Sequence, residues 1–462
     1  MTDDVRLIET KLPEFGEPSV QPAVPGAVYR ARLAEALRRA AAQGLDALVV
    51  YGDREHAANV SYLTGYDPRF EETLLVVVPG RRPSLFLGNE GWSYAELAAG
   101  DFDRVLCQTF SLPGQPRDRQ EPLPALLRAA GITPGMRVGA AGWKVFDAGD
   151  PGSTPEWLDL PSFIADALRG IADRVVNAGG IFIDPVDGMR VINEIDQLAC
   201  FEFAATYASQ ALRNVIFGVR PGMTELQAAR LMGLNGLPLA AHTMLSAGPR
   251  ATHGLPSPSA TVLERGAPFT MACAPQGGLS ARAGFLVADA AELPAGIRDY
   301  VARLVAPYFG AVAEWYETVA IGVAGGTLYD IIQRRLGDKF FGVGLNPGHY
   351  IHIDEWMHSP IFPGSTIALR SGMALQVDVI PATHSPWFTT NIEDGIALAD
   401  AALRSEFAAR YPEAWARITA RRAFMRDVLG IRINDEVLPF SNIPAYLPPF
   451  LLSPTRVMAM AR

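Results

Sequence analysis

The segment 342-GVGLNPGHYIHIDEWMHSP-360 places His349, His352 and His358, three of the chain's seven histidines, beside Asp354 and Glu355. Imidazoles and carboxylates at this density suit two chemistries: holding a divalent ion, or moving protons near neutral pH. Asn346-Pro347-Gly348 is a turn that presents the His349 ring at a strand start. His352 is expected to be a packed strand residue. Asp354 and Glu355 are either a buried pair in which one carboxyl raises the pKa of the other, or a solvated loop edge. Asp378 in LQVDVI and Glu393 in NIEDGIAL stand in apolar strand patterns, where an unpaired carboxylate is costly. Each therefore needs an internal partner: a metal, His253, His349, a cationic substrate, or an arginine such as Arg282 in a buried salt bridge.

The elements that must position these groups follow an α/β pattern. Tyr29 to Gln43 has helical composition and stops at Gly44, and 45-LDALVVYGD-53, 73-TLLVVVPG-80, 83-PSLFLG-88 and 136-MRVGAAG-142 are expected strands. Residues 1–26 are proline-rich and aperiodic, an N-terminal arm. Glycine and proline cluster again near 177–192, which divides a first domain (27–185) from a second (186–462). The second opens with the clearest helix of the chain, Glu194 to Phe217. GVRPGMTEL at 218 and GVAGGTLYD at 322 resemble each other, with Thr224 and Thr327 as helix caps. Two such helix–turn–helix halves imply a pseudo-twofold. The tail 438-LPFSNIPAYLPPFLLSPTRVMAMAR-462 is apolar and aromatic, so it should pack over the core or a dimer partner, and it is a candidate for lining the pocket.

The bulk properties exclude several classes. A net charge of −9 gives no basic footprint for nucleic acid or an anionic membrane surface. Cys107, Cys200 and Cys273 are far apart, which suits a reducing compartment and leaves no thiolate zinc site. The N-terminus shows no signal-peptide pattern and no run of about eighteen apolar residues occurs, so a cytoplasmic protein is expected.

Three sets of residues, in order along the chain, resemble the creatinase, aminopeptidase P and prolidase-like family. They are VYGDREHAANVSYLTGYDPRFEETLLVVV (50–78), MRVINEIDQLACFEFAATYAS (189–209), and the pair RSGMALQVDVIPA (370–382) with TTNIEDGIALAD (389–400). The resemblance implies a creatinase-like α/β N-terminal domain and a C-terminal pita-bread α/β domain with pseudo-twofold symmetry. It also implies a homodimer. Metallopeptidase members hold two ions with two Asp, one His and two Glu. By resemblance His349 takes the His place, Asp378 the first Glu place and Glu393 the second. The two Asp should fall within residues 265–288, which contain no Asp or Glu; Ala272 stands about where the first belongs. A two-ion site is thus not expected, and the remaining trio is a set for a single divalent ion at most.

Creatinase offers the metal-free precedent: a C–N hydrolase with a histidine as acid–base group. Here 246-SAGPRATHGLPSPS-259 matches its histidine loop and makes His253 the candidate, with an imidazole pKa suited to taking and returning a proton. His358 in MHSP resembles the family's second histidine with a two-residue insertion, so Glu355 or Trp356 are alternatives for that place. Arg69 falls where creatinase-like proteins reach across the dimer to a substrate carboxylate; its alternative is a surface pairing with Glu71 or Glu72. Histidines 56, 242 and 384 receive no role. Three functions follow: a C–N hydrolase of a small amide, amidine or cyclic compound using no cofactor; an X-Pro dipeptidase or aminopeptidase using a metal; or a catalytically silent pita-bread protein that binds a small molecule or dipeptide.

Overall fold

The structure is a computed structural model that describes residues 4–146 and 149–461. The chain divides into two units: Ala23–Val191, and a second made of Met1–Pro22 with Ile192–Arg462. The proline-rich start is therefore not a free arm. Its strand β1 (Val5–Glu9) runs antiparallel to Arg456–Met460, so the first and last strands of the second unit pair with each other.

In the first unit, β2 (Ala47–Gly52), β3 (Thr73–Val77), β4 (Ser84–Leu87), β5 (Asp103–Leu106), β6 (Arg137–Ala141) and β7 (Arg174–Asn177) make one mixed sheet. Its order is β5-β4-β3-β2-β6-β7. β2 and β3 are buried throughout, which explains their unbroken apolar runs. The expected first helix is Gly26–Ala42; it buries Leu33, Ala36 and Ala40, three and four residues apart on one face.

The second unit carries β8 (Met244–Ala247), β9 (Pro268–Cys273), β10 (Ser280–Phe285), β11 (His349–Tyr350), β12 (Ala374–Val379) and β13 (Asn391–Leu398). They lie in the order β11-β12-β13-β10-β9-β8. β14 (Val437–Pro439) pairs with the far end of β13, and β15 is Arg456–Met460. The order is a palindrome of two halves, each a long helix, a turn, a second helix and three strands, meeting where β10 pairs with β13. The long helices are Ile195–Gly218 and Ala306–Thr318; the second helices are Glu225–Arg230 and Gly325–Leu336.

The expected pseudo-twofold is thus present, but its register differs from the sequence match. Gly222 N–H donates to Leu263 O and Gly322 N–H to Leu369 O, both at 2.8 Å, and both glycines have φ +89. Gly222 therefore corresponds to Gly322, and Thr224 to Ala324. Thr224 caps its helix in a reciprocal box with Gln227, whereas Ala324 has no side chain able to do so and Thr327 lies inside its helix.

Two buried ionic networks fix this unit. On the long opening helix, Glu202 accepts from Arg417 (2.7 and 2.9 Å) and from Arg421 (2.7 Å), both on the helix Pro412–Asp427. Arg421 continues to Asn442 Oδ1 (2.6 Å), and the Asn442 amide donates to Gly16 O (3.0 Å). Arg282 of β10 pairs with Asp394 of β13 at 2.7 Å and also donates to Tyr446 O. The apolar tail is accordingly packed on the core and held from behind the sheet. Among the described residues no helix is long and apolar enough to cross a membrane.

Candidate functional site

Side chains alternate across β10, β12 and β13, and the register decides which of them meet. Ala281 lies opposite both Ala272 and Glu393, and Glu393 opposite Asp378. One row across the sheet therefore runs Ala272, Ala281, Glu393, Asp378, while Arg282 and Asp394 point to the reverse face. Asp394, and not Asp378 or Glu393, takes the arginine that a buried-salt-bridge reading assigns to them.

His349 enters this row from the Asn346-Pro347-Gly348 turn. Gly348 has φ +135, and a Cβ there would stand 2.8 Å from Gln376 O and 3.0 Å from Ile361 Cδ1, so only glycine passes beneath β12. The His349 ring is fully buried and stacks on Trp356 at 4.2 Å and 19°. Its Nδ1 lies 3.1 Å from Tyr350 O. A carbonyl only accepts, so Nδ1 carries the proton and donates. Nε2 then faces Glu355 Oε1 at 3.5 Å, and Asp378 Oδ2 and Glu393 Oε1 at 3.9 Å each. Nε2 and Asp378 Oδ1 are buried without a hydrogen-bond partner among the described residues.

The electrostatics reflect this crowding. Burial, then Glu393, pushes the Asp378 carboxyl well above its ordinary range, with His349 opposing; burial and Glu355 do the same to Glu393. Burial also raises Glu355, and His349 partly offsets it. An imidazole lone pair and three carboxyl groups converge, and among the described residues no lysine or arginine forms an ion pair with them. A proton, a metal ion or a charged part of a substrate belongs in that space.

A cavity of about 870 Å3 opens onto this row. Its walls include His253, Glu355, Trp356, Asp378 and Glu393. His253 ends a short 3-10 turn, Gly248–His253, and is exposed, whereas Asp378 and Glu393 are buried. His349 meets the wall residues through Trp356 and the acids. His358 is not among the wall residues; its Nδ1 accepts from Ser359 N–H at 2.8 Å, which ties it to its own loop. His352 packs edge-on against Phe201 as a core residue. Arg69 belongs to the first unit, in the stretch after the helix Ala58–Thr64; burial raises the Asp67 carboxyl there and Arg69 partly opposes it. Glu71 accepts from the N–H groups of Glu90 and Gly91, and Glu72 from the Tyr51 hydroxyl. No described residue of the apolar tail lines the cavity, which corrects the expectation that it helps set substrate choice.

Sequence reasoning passed over three wall residues. His242 donates through Nε2 to Leu255 O (2.8 Å), and His384 lies on the loop between β12 and β13; no local signal distinguished either. Asn391 did carry one: it precedes Glu393 by two on the same strand, hence on the same face.

The donor set tests the metal question. His349, Asp378 and Glu393 offer ligand atoms that all lie within 4.8 Å of one another, and the second histidine nitrogen is fixed on a carbonyl. One nitrogen, two hard oxygens and an open cavity side fit a single divalent ion. They do not fit two, because the row continues into the methyl groups of Ala281 and Ala272 where bridging carboxylates would be needed.

With this geometry in place, comparison with known proteins gives a consistent answer. Residues 32–145 match the Creatinase/Prolidase N-terminal domain. The prolidase from Pyrococcus horikoshii OT3 shares the fold at 16% identity and a TM-score of 0.60, over 80% of this chain and 95% of that one. The Xaa-Pro dipeptidase from Bacillus anthracis does so at 15% identity and 0.60, over 81% and 96%. The X-Pro aminopeptidase from Thermotoga maritima MSB8 gives 17% and 0.59, over 80% and 95%. No curated protein matches. Residues 32–145 thus match the Creatinase/Prolidase N-terminal domain, and the chain shares the two-domain pita-bread fold of these solved structures.

Proposed function

We propose that the protein hydrolyses a C–N bond in a small amide, amidine or cyclic compound, with His253 as the general acid–base group and without a two-ion centre. One observation carries this reading: exposed His253 and the buried acids Asp378 and Glu393 line a single cavity. The His253 imidazole takes a proton from water as its oxygen bonds to the substrate carbon. It returns that proton to the nitrogen as the C–N bond breaks. Asp378 and Glu393 accept hydrogen bonds from the substrate's N–H groups and orient the carbon toward the water. The Tyr350 carbonyl holds His349 in one tautomer, stacking on Trp356 holds its plane, and Glu355 lines the cavity beside them. The substrate is a small molecule, and the family resemblance carries the expectation of a cytoplasmic homodimer with Arg69 as a carboxylate contact.

A His253→Ala variant, checked for folding by circular dichroism, is expected to lose about 100-fold or more in kcat on the active C–N substrate. Unchanged turnover would sink the proposal. The second reading, an X-Pro peptidase, rests on the His349, Asp378 and Glu393 set. An ion there would polarise the scissile carbonyl and lower the pKa of a bound water. Elemental mass spectrometry before and after chelation separates the two. Near-zero metal with retained turnover supports the first reading, and about one ion per chain with X-Pro hydrolysis supports the second.

A further inference from the structure

The second unit holds another cavity, of about 370 Å3, which shares no wall residue with the one that His253 lines. One side of it is a face of the long helix Ile195–Gly218, with Tyr207, Ala208, Gln210, Ala211 and Asn214. The loop after Glu225–Arg230 supplies Met232, Leu234, Leu237 and Leu239, and Cys273 joins them from the end of β9. Among the described wall residues there is no lysine, arginine or histidine, and the one acid, Glu17, is exposed. Burial pushes the Cys273 thiol up to about 12, so it stays neutral. An uncharged, largely apolar cavity of this size takes a small molecule.

Its polar groups have a fixed direction. Arg421 can only donate, so Asn442 must turn its Oδ1 to the guanidinium, at 2.6 Å. The Asn442 amide nitrogen then faces Gln210 Oε1 at 3.4 Å, and Gln210 Nε2 donates to Asn214 Oδ1 at 3.1 Å. Each side-chain carbonyl in this run is taken by the donor behind it, back to a fully buried cation. The run ends at Asn214 Nδ2, which donates to no partner among the described residues. Arg421 thus determines that the cavity presents a donor, polarised by the bonds behind it. A hydrogen-bond acceptor belongs opposite that donor, and the leucines and Met232 suit the body that carries it.

We propose that this second cavity binds a small uncharged molecule that offers a carbonyl-type acceptor to Asn214 Nδ2 from an apolar body. A carboxylate is disfavoured, since one neutral amide donor does not repay its desolvation. An ammonium gives Nδ2 nothing to bond. The proposal does not rest on the chemistry assigned to His253.

The test is NMR of the full chain, isotopically labelled at its methionine methyl groups. Met232 lines this cavity and Met244 lines the first, so the two report separately. Met232→Leu and Met244→Leu spectra identify their signals. Three probes of one shape are titrated: phenylacetamide, phenylacetate and phenethylammonium. Phenylacetamide is expected to shift Met232 saturably, at about tenfold lower concentration than either charged probe. Asn214→Asp keeps the shape and the bond from Gln210, but puts an acceptor where the donor stood. It should weaken phenylacetamide about fivefold or more. Asn214 is exposed, and matching methionine spectra of the free variant and free wild type check the fold. No saturable Met232 shift with phenylacetamide, equal or tighter binding of a charged probe, or indifference to Asn214→Asp would overturn the proposal. So would a shift confined to Met244, which would place the amide in the first cavity.

Discussion

Asp378 shows what a single residue costs the fold. Its carboxyl is buried beside Glu393 and faces a histidine lone pair, so the fold is destabilised by the groups that serve the site. Replacing it with asparagine removes the charge at nearly constant shape. Asp378→Asn is expected to raise the stability of the ligand-free protein by about 1–3 kcal/mol at neutral pH, read as a higher urea midpoint. A lower midpoint would mean that the carboxylate has a stabilising partner in the folded state. His349, Asp378 and Glu393 were legible in the sequence because each sits in an ordered motif, and an apolar strand around an acid is itself a warning. The partner of Arg282 was not legible. Asp394 and Glu393 are neighbours, and only the strand register settles which of the two faces the guanidinium.

At the scale of elements, the sequence showed two equivalent halves yet misaligned them by four residues. The shared Gly-Val dipeptide was the visible signal, but hydrogen bonds across the turn, from Gly222 and Gly322, set the correspondence. The corrected register makes a prediction. Thr224 has a capping box and its counterpart Ala324 has none, so Ala324→Thr should stabilise the second half by about 0.5–1 kcal/mol. No gain in thermal unfolding would mean that the two helix starts differ in backbone more than their hydrogen bonds suggest. The Arg282–Asp394 pair behaves in the opposite way. Removing one partner by Arg282→Met leaves a buried carboxylate and should cost about 3–5 kcal/mol, whereas loss under 1 kcal/mol would place that charge in contact with water.

For the molecule as a whole, Glu202 links the opening helix to the helix Pro412–Asp427, to Asn442 and so to Gly16. Burial alone would raise its pKa, but Arg421 and Arg417 outweigh it and the net shift is downward. A carboxylate depressed in the folded state contributes stability that is present above its unfolded pKa, about 4.3, and is lost as pH falls through the folded value. Acid unfolding should therefore steepen below about pH 4.3, and Glu202→Gln should flatten that limb while lowering stability at pH 7. A limb of unchanged slope would assign the acid sensitivity elsewhere. The domain boundary read from glycine and proline fell a few residues early, and the pairing of β1 with β15 left no local trace, since two strands distant in sequence carry no shared pattern. That pairing also sets an order of events during synthesis. The unit bearing the acids is split around Ala23–Val191, and its first strand waits for its partner until translation reaches Arg456–Met460, on the order of tens of seconds later. The inserted unit emerges complete in the meantime, so the nascent chain acquires its first domain well before the edge of the second can close.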